Sequence, residues 1–150
     1  RLLNKYELTV TTAESCTGGM IASKIVNVPG ASDVFNEGFI TYSNKAKRKH
    51  LDVSKNTLKK YGAVSEQTVK EMALGGVFAA DSDACVAVSG IAGPDGGTDE
   101  KPVGLVYIGC IKDDVTVKEC HFHGTRLEIR EQAANAALDL LRVAILNNYR

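Results

Sequence analysis

Ser15 stands in the run Thr11-Thr12-Ala13-Glu14-Ser15-Cys16-Thr17-Gly18-Gly19, where a β-branched segment gives way to small residues and then to helical spacing. A serine at a strand-to-helix turn presents its hydroxyl at the carboxyl edge of a sheet, where α/β proteins usually bind ligands. The following Thr17, Gly18 and Gly19 offer unobstructed backbone N–H groups at a helix N-terminus, suited to a phosphate or to a developing oxyanion. The same pattern also describes an ordinary helix cap with a glycine turn, and caps are commoner than nucleophiles. A serine hydroxyl attacks poorly at neutral pH unless a base takes its proton, and a desolvated lysine can be that base. Tyr42, Lys45 and Lys47 follow a second strand-like segment closely, so an ammonium reaches Ser15 if the two strands are neighbours. On residue type alone, Lys45, Lys47, Arg48 and Lys49 read equally as a solvated basic face, and Tyr42 as a strand-end aromatic covering the core.

Ser89 to Asp99 is the most glycine-rich segment, running Gly90-Ile91-Ala92-Gly93-Pro94-Asp95-Gly96-Gly97. Backbone without side chains at a strand's end can approach a ligand closely, and a loop this long in a compact domain is usually functional. It matches neither GxGxxG nor GxxxxGK[ST], which argues against a nicotinamide-dependent oxidoreductase and against an ATPase. Arg126 precedes the last helical segment, so a guanidinium and a helix N-terminus face one spot, a combination suited to a phosphate; a surface salt bridge is the competing reading. Asp95 and Asp99 read as solvated turn residues rather than metal ligands. Cys120, His121 and His123 suggest zinc by type. On a strand, however, the two histidines share a face and Cys120 points away, so no metal is expected there.

The elements that must position these groups follow from the hydrophobic pattern. Leu8 to Thr12 reads as a strand. Ile21, Ile25 and Val28 recur at helical spacing until Pro29-Gly30. A short strand is expected around Phe39 to Tyr42, followed by a basic stretch. Ser54 caps a short helix ending at Gly62 in the left-handed conformation, and Ser65 caps another whose face is Val69, Met72, Ala73, Gly76 and Val77. Ala84 to Val88 reads as a buried strand. Val103 to Ile111 and Val115 to Phe122 form a hairpin about Lys112-Asp113-Asp114, although no Asn-Gly or Asp-Gly marks the turn. A final helix from Arg126 carries the stripe Ala134, Leu138, Leu141 and Ile145. Helices on both sides of a mixed sheet, a three-layer α/β/α single domain, is the economical arrangement.

At 150 residues the chain is long enough for one real core. Lys plus Arg and Asp plus Glu each number 18, so no global field draws a nucleic acid to the surface, and the basic stretch from Lys45 to Lys60 lacks a stacking motif. Any anionic ligand must be held locally. Cys16, Cys85, Cys110 and Cys120 form no CxxC pair and lie in unlike contexts, which points to a reducing compartment and a cytoplasmic location. No apolar run approaches the roughly 20 residues of a membrane span.

Four segments together resemble the CinA C-terminal domain family, most closely its stand-alone nicotinamide mononucleotide deamidases. They are Thr11 to Gly19; Gly38-Phe39-Ile40-Thr41-Tyr42-Ser43-Asn44 with Lys47; Gly62-Ala63-Val64-Ser65-Glu66; and Ser89 to Gly97 with Lys101-Pro102-Val103-Gly104. With Gly124 and Arg126 they cover nearly the whole chain in order. The resemblance implies a three-layer α/β/α domain that hydrolyses nicotinamide mononucleotide to nicotinic acid mononucleotide and ammonia without a cofactor. It implies Ser15 as nucleophile, with Tyr42 and Lys47 as activating groups; Lys45 falls at a variable position of the motif. Thr17, Gly18 and Gly19 then form the oxyanion region, Ser89, Gly90 and Gly93 line the nucleotide pocket, and Arg126 meets the phosphate. Thr125 departs from the family pattern, which often has Asp there. A homodimer or other homo-oligomer is expected from family and base rates. The rival is a binding module that recognises a pyridine nucleotide without turnover, linked to competence or the DNA-damage response.

Overall fold

Val10-Thr11-Thr12-Ala13-Glu14 forms strand β1, and all five residues are buried, as expected of a parallel strand covered on both faces. In the computed structural model, which describes residues 1–149, β1 is an interior strand of a five-stranded mixed sheet in the order β2-β1-β3-β4-β5. It runs parallel to β2 (Phe39–Ile40) and to β3 (Ala84–Gly90), with Glu14 beside Ile40 and Val88. β4 (Leu105–Lys112) and β5 (Asp114–His121) continue the sheet antiparallel. Their turn closes at Asp113, whose φ of +73° is one that Asp tolerates better than most residues.

The alternation of β3 divides the core in two. Val86 and Val88 face a layer made by α1 (Leu2–Lys5), α2 (Met20–Val26) and α6 (Arg126–Asn148), and pack with Ile21, Ile129, Ala134, Leu141 and Ile145. Cys85 and Ala87 face α3 (Asn44–Leu51), α4 (Lys55–Tyr61) and α5 (Glu66–Ala80), among Leu51, Leu58, Val69 and Met72. The three-layer α/β/α arrangement is therefore present. All four cysteines are free and buried, and no helix among the described residues is long and apolar enough to cross a membrane.

Local chemistry accounts for the helix boundaries and for the departures from expectation. Ser54 and Ser65 accept from the Asn56 and Thr68 amides and cap α4 and α5. Thr125 and Glu128 form a reciprocal capping box at the start of α6, so the threonine there has a structural use. Gly62 takes φ +81° but ψ 172°, an extended glycine conformation rather than the left-handed one expected. α2 stops at Val26, leaving Val28 exposed. On α6 Leu138 is half-buried, and Ala137 takes an inward place beside Ala134 and Leu141. The basic stretch after β2 is a helix, α3, capped by Ser43; its buried residues are Lys47 and Leu51, four apart on one face. One of the two is a lysine, so no apolar periodicity announces the helix.

Glu14 is fully buried, and its carboxylate accepts from the Ile21 amide at 2.9 Å and the Ala22 amide at 3.1 Å. It joins the end of β1 to the first turn of α2, where a negative charge meets the positive end of the helix. Glu14→Gln turns one acceptor into a donor facing an amide N–H. It is expected to lower stability by about 2–3 kcal/mol, read from the urea midpoint; an unchanged midpoint would show that α2 does not depend on this charge.

Candidate active site

Ser15 is the first residue beyond β1. Its amide donates to the Val88 carbonyl at 3.0 Å, and its own carbonyl accepts from the Gly18 amide at 3.1 Å. Strand pairing thus holds its backbone from behind while a tight turn begins in front. Because β2 lies beside β1, the chain leaves β2 next to Ser15, passes the Ser43 cap and enters α3, which sends Lys47 back to the same point. Lys47 Nζ lies 2.9 Å from Ser15 Oγ, 2.8 Å from the Thr41 carbonyl oxygen and 3.2 Å from that of Tyr42.

Lys47 is 1% exposed, and its three donor positions all meet neutral oxygens. Among the described residues no carboxylate pairs with it. Three neutral acceptors compensate only partly for lost hydration, so burial lowers the ammonium from 10.5 to about 8. A lysine in that range supplies a useful fraction of free amine near neutral pH, within hydrogen-bond reach of a hydroxyl. The neighbouring Cys16 thiol moves the other way: burial pushes it up to about 11, which keeps it protonated and a weak nucleophile.

The pair opens into a cleft of about 270 Å3 whose walls include Cys16, Tyr42, Ala63, Val64, the segment Ser89 to Gly93, Asp95, Gly96 and Arg126. Arg126 donates to the Gly93 carbonyl at 2.7 Å and to the Tyr42 hydroxyl at 3.0 Å, tying the glycine-rich loop to the β2–α3 connection across the mouth. A more apolar hollow of about 190 Å3 beside α1, lined by Leu3, Ile25, Val34 and Leu138 among others, contains none of these groups.

Ser15, Lys47, Tyr42, Ser89, Gly90, Gly93 and Arg126 therefore meet at one cleft, although they lie as far apart as β1 and α6 in the chain. Two of the expected groups are placed differently from the expected arrangement. The Tyr42 ring is 62% exposed and its hydroxyl is engaged by Arg126, so the part of Tyr42 that meets Lys47 is its backbone carbonyl. Thr17, Gly18 and Gly19 are absent from the cleft walls. Glu14 already occupies the start of α2, the Gly18 amide is bound to Ser15, and the Thr17 hydroxyl is buried without a partner. The helix N-terminus consequently has no vacant charge for a phosphate. The amides of Cys16 and Thr17, by contrast, find no acceptor among the described residues.

Sequence reasoning missed Ala63 and Val64, although they fall in the Gly62 to Glu66 segment that the family resemblance marks. It also missed Arg130, one helical turn beyond Arg126. Lys45, Arg48 and Lys49 lie on the exposed side of α3. Asp95 lines the cleft, whereas Asp99 is an exposed loop residue outside it. His121 pairs with Glu119 at 3.1 Å on edge strand β5. No group of three or more His, Cys, Asp or Glu suited to a metal occurs among the described residues.

Fold and site together define an α/β/α domain with a buried serine–lysine pair at the carboxyl edge of its parallel strands. The chain belongs to the CinA C-terminal domain family, whose family model matches residues 1–145. It is 56% identical over 146 residues to a CinA-like protein from Kosmotoga olearia, an alignment covering 97% of this chain and 35% of that protein. It thus spans about a third of the length of the curated relatives it matches. Among solved structures it is similar to the competence/damage inducible protein CihA from Agrobacterium tumefaciens, with a TM-score of 0.92 and 43% identity, covering 95% of this chain and 88% of that one. A CinA superfamily protein from Klebsiella pneumoniae aligns with a TM-score of 0.94 and 34% identity, covering 98% and 92%.

Proposed function

We propose that this domain hydrolyses the amide of nicotinamide mononucleotide to nicotinic acid mononucleotide and ammonia. The observation that carries the reading is the 2.9 Å contact between Lys47 Nζ and Ser15 Oγ, with Lys47 desolvated and paired with no carboxylate among the described residues. As free amine, Lys47 takes the Ser15 proton while Oγ attacks the amide carbonyl carbon. Backbone N–H groups beside Ser15 hold the oxyanion. The proton then passes from Lys47 to the amide nitrogen, the C–N bond breaks and ammonia leaves an acyl ester on Ser15. Water, deprotonated by Lys47, attacks that ester; the acid departs and Ser15 recovers its proton.

Arg126 suits the phosphate because its present partners, a carbonyl and a phenol, leave its charge uncompensated. Arg126→Ala is expected to raise KM for nicotinamide mononucleotide about 10- to 100-fold with a smaller change in kcat, the loss of a charge-assisted contact worth about 1.5–3 kcal/mol. An unchanged KM removes Arg126 from phosphate binding. The reading as a whole is tested by ammonia release from nicotinamide mononucleotide without added metal. A folded wild-type protein that binds this nucleotide tightly and releases no ammonia overturns it in favour of a non-catalytic binding module.

A further inference from the structure

Arg130 is a half-buried guanidinium for which the described residues supply no carboxylate partner. Its hydrogen bonds go instead to two consecutive carbonyls of the turn after Ser15: Nε donates to Cys16 O at 2.9 Å and Nη2 to Thr17 O at 3.1 Å. The approach is close enough that a Cβ at Gly18, where φ is +58°, would sit 3.2 Å from Nη2. Arg130 does not line the cleft, so both carbonyls point to a group behind the turn rather than into the site.

A trans peptide holds its C=O and N–H on opposite sides. Each carbonyl shares its plane with the next residue's N–H, so gripping the Cys16 and Thr17 oxygens fixes the Thr17 and Gly18 amides. The Thr17 N–H is unbonded among the described residues, and the Gly18 N–H holds the Ser15 carbonyl, whose plane carries the unbonded Cys16 N–H. Rotation of the first plane would put the Cys16 carbonyl oxygen where the Thr17 N–H stands, rotation of the second would break the Gly18 N–H bond to the Ser15 carbonyl, and a turn containing a positive-φ glycine permits such rotation readily. An oxygen in that position repels the negative charge that develops on the substrate.

We propose that Arg130 is a positioning residue: by holding the Cys16 and Thr17 carbonyls behind the nucleophile turn, it keeps the backbone amides after Ser15 oriented to receive an oxyanion. The inference rests on the reading of Ser15 as nucleophile.

The test compares wild type, Arg130→Met and Arg130→Lys by ammonia release and by the rate at which a small alkyl fluorophosphonate labels Ser15. In the labelling reaction Ser15 Oγ bonds to phosphorus, fluoride leaves and the serine proton passes to Lys47; intact mass reads the adduct. Arg130→Met is expected to lose about 10²-fold in kcat, the scale of one lost oxyanion donor, with KM within about threefold of wild type. Labelling should slow in parallel. Arg130→Lys, which can hold one carbonyl, should recover part of both rates. Wild-type labelling rates in folded Arg130→Met overturn the proposal, as does a loss that tracks a fall in melting temperature in both variants. If wild type is labelled at Ser15 but releases no ammonia, the substrate reading fails while the labelling comparison still decides the role of Arg130.

Discussion

Ser15→Ala is expected to release ammonia from nicotinamide mononucleotide at least about 10³-fold more slowly than wild type, with nucleotide binding and fold retained. The covalent route ends because no other group at that position can form the acyl ester. Cys16 is adjacent, but burial holds its thiol near 11 and its side chain does not meet Lys47 by hydrogen bond. The fold should tolerate the change. Alanine fits where the hydroxyl sat, and Lys47 keeps its bonds to the Thr41 and Tyr42 carbonyls, so the loss in stability is on the order of 1 kcal/mol. The measurement is kcat beside the urea midpoint and the binding of nicotinic acid mononucleotide. Wild-type turnover in a folded Ser15→Ala protein sinks the serine mechanism.

Lys47→Met is expected to lose about 10²- to 10⁴-fold in kcat, the usual range for removal of a general base, and to change how stability depends on pH. In wild type the free amine is the working form, so kcat/KM should rise with pH and reach half its plateau near 8. The stability effect has a definite sign. Above pH 8 the folded protein releases the Lys47 proton, while the unfolded chain keeps it up to about 10.5. The unfolded state then binds more protons, so the Lys47 contribution to stability rises with pH through this window and is flat below it. The gap between about 8 and 10.5 corresponds to about 3 kcal/mol. Wild type should therefore gain about that much relative to Lys47→Met between those pH values, read from urea midpoints of the two proteins in parallel. Parallel curves would mean that Lys47 is solvated in the free protein and is no poised base.

Lys47 also marks where the sequence stops being legible. Its type and its place after β2 made it a candidate base, but Lys45 and Arg48 had the same composition around them. What separates them is the direction of each side chain from α3: Lys47 shares the inward face with Leu51, while Lys45 and Arg48 face solvent. That helix was invisible to periodicity because its inward face carries a charge. Strands and the longer helices were legible for the opposite reason, since burial in a layered fold imposes apolar periods of 2 and 3.6 on the chain. The amide side was only partly legible: a glycine turn before a helix signals open amides, and nothing in the local pattern shows that the Gly18 N–H turns back to the Ser15 carbonyl or that Glu14, one residue before Ser15, takes the Ile21 and Ala22 amides at the start of α2.

By itself the sequence determined the strands and the longer helices, the layered α/β class, the strand-to-turn position of Ser15 and the glycine-rich loop. These depend on hydrophobic period, cap residues and backbone freedom, all of which act over a few neighbouring residues. Only the tertiary structure decided which lysine loses its water, that Tyr42 meets Lys47 through its carbonyl, and that Arg126 bonds to the glycine-rich loop and Tyr42 while Arg130, one turn on, bonds to the Cys16 and Thr17 carbonyls. Those outcomes depend on desolvation and on contacts between β1, α3 and α6, which form only when segments distant in sequence close around Ser15.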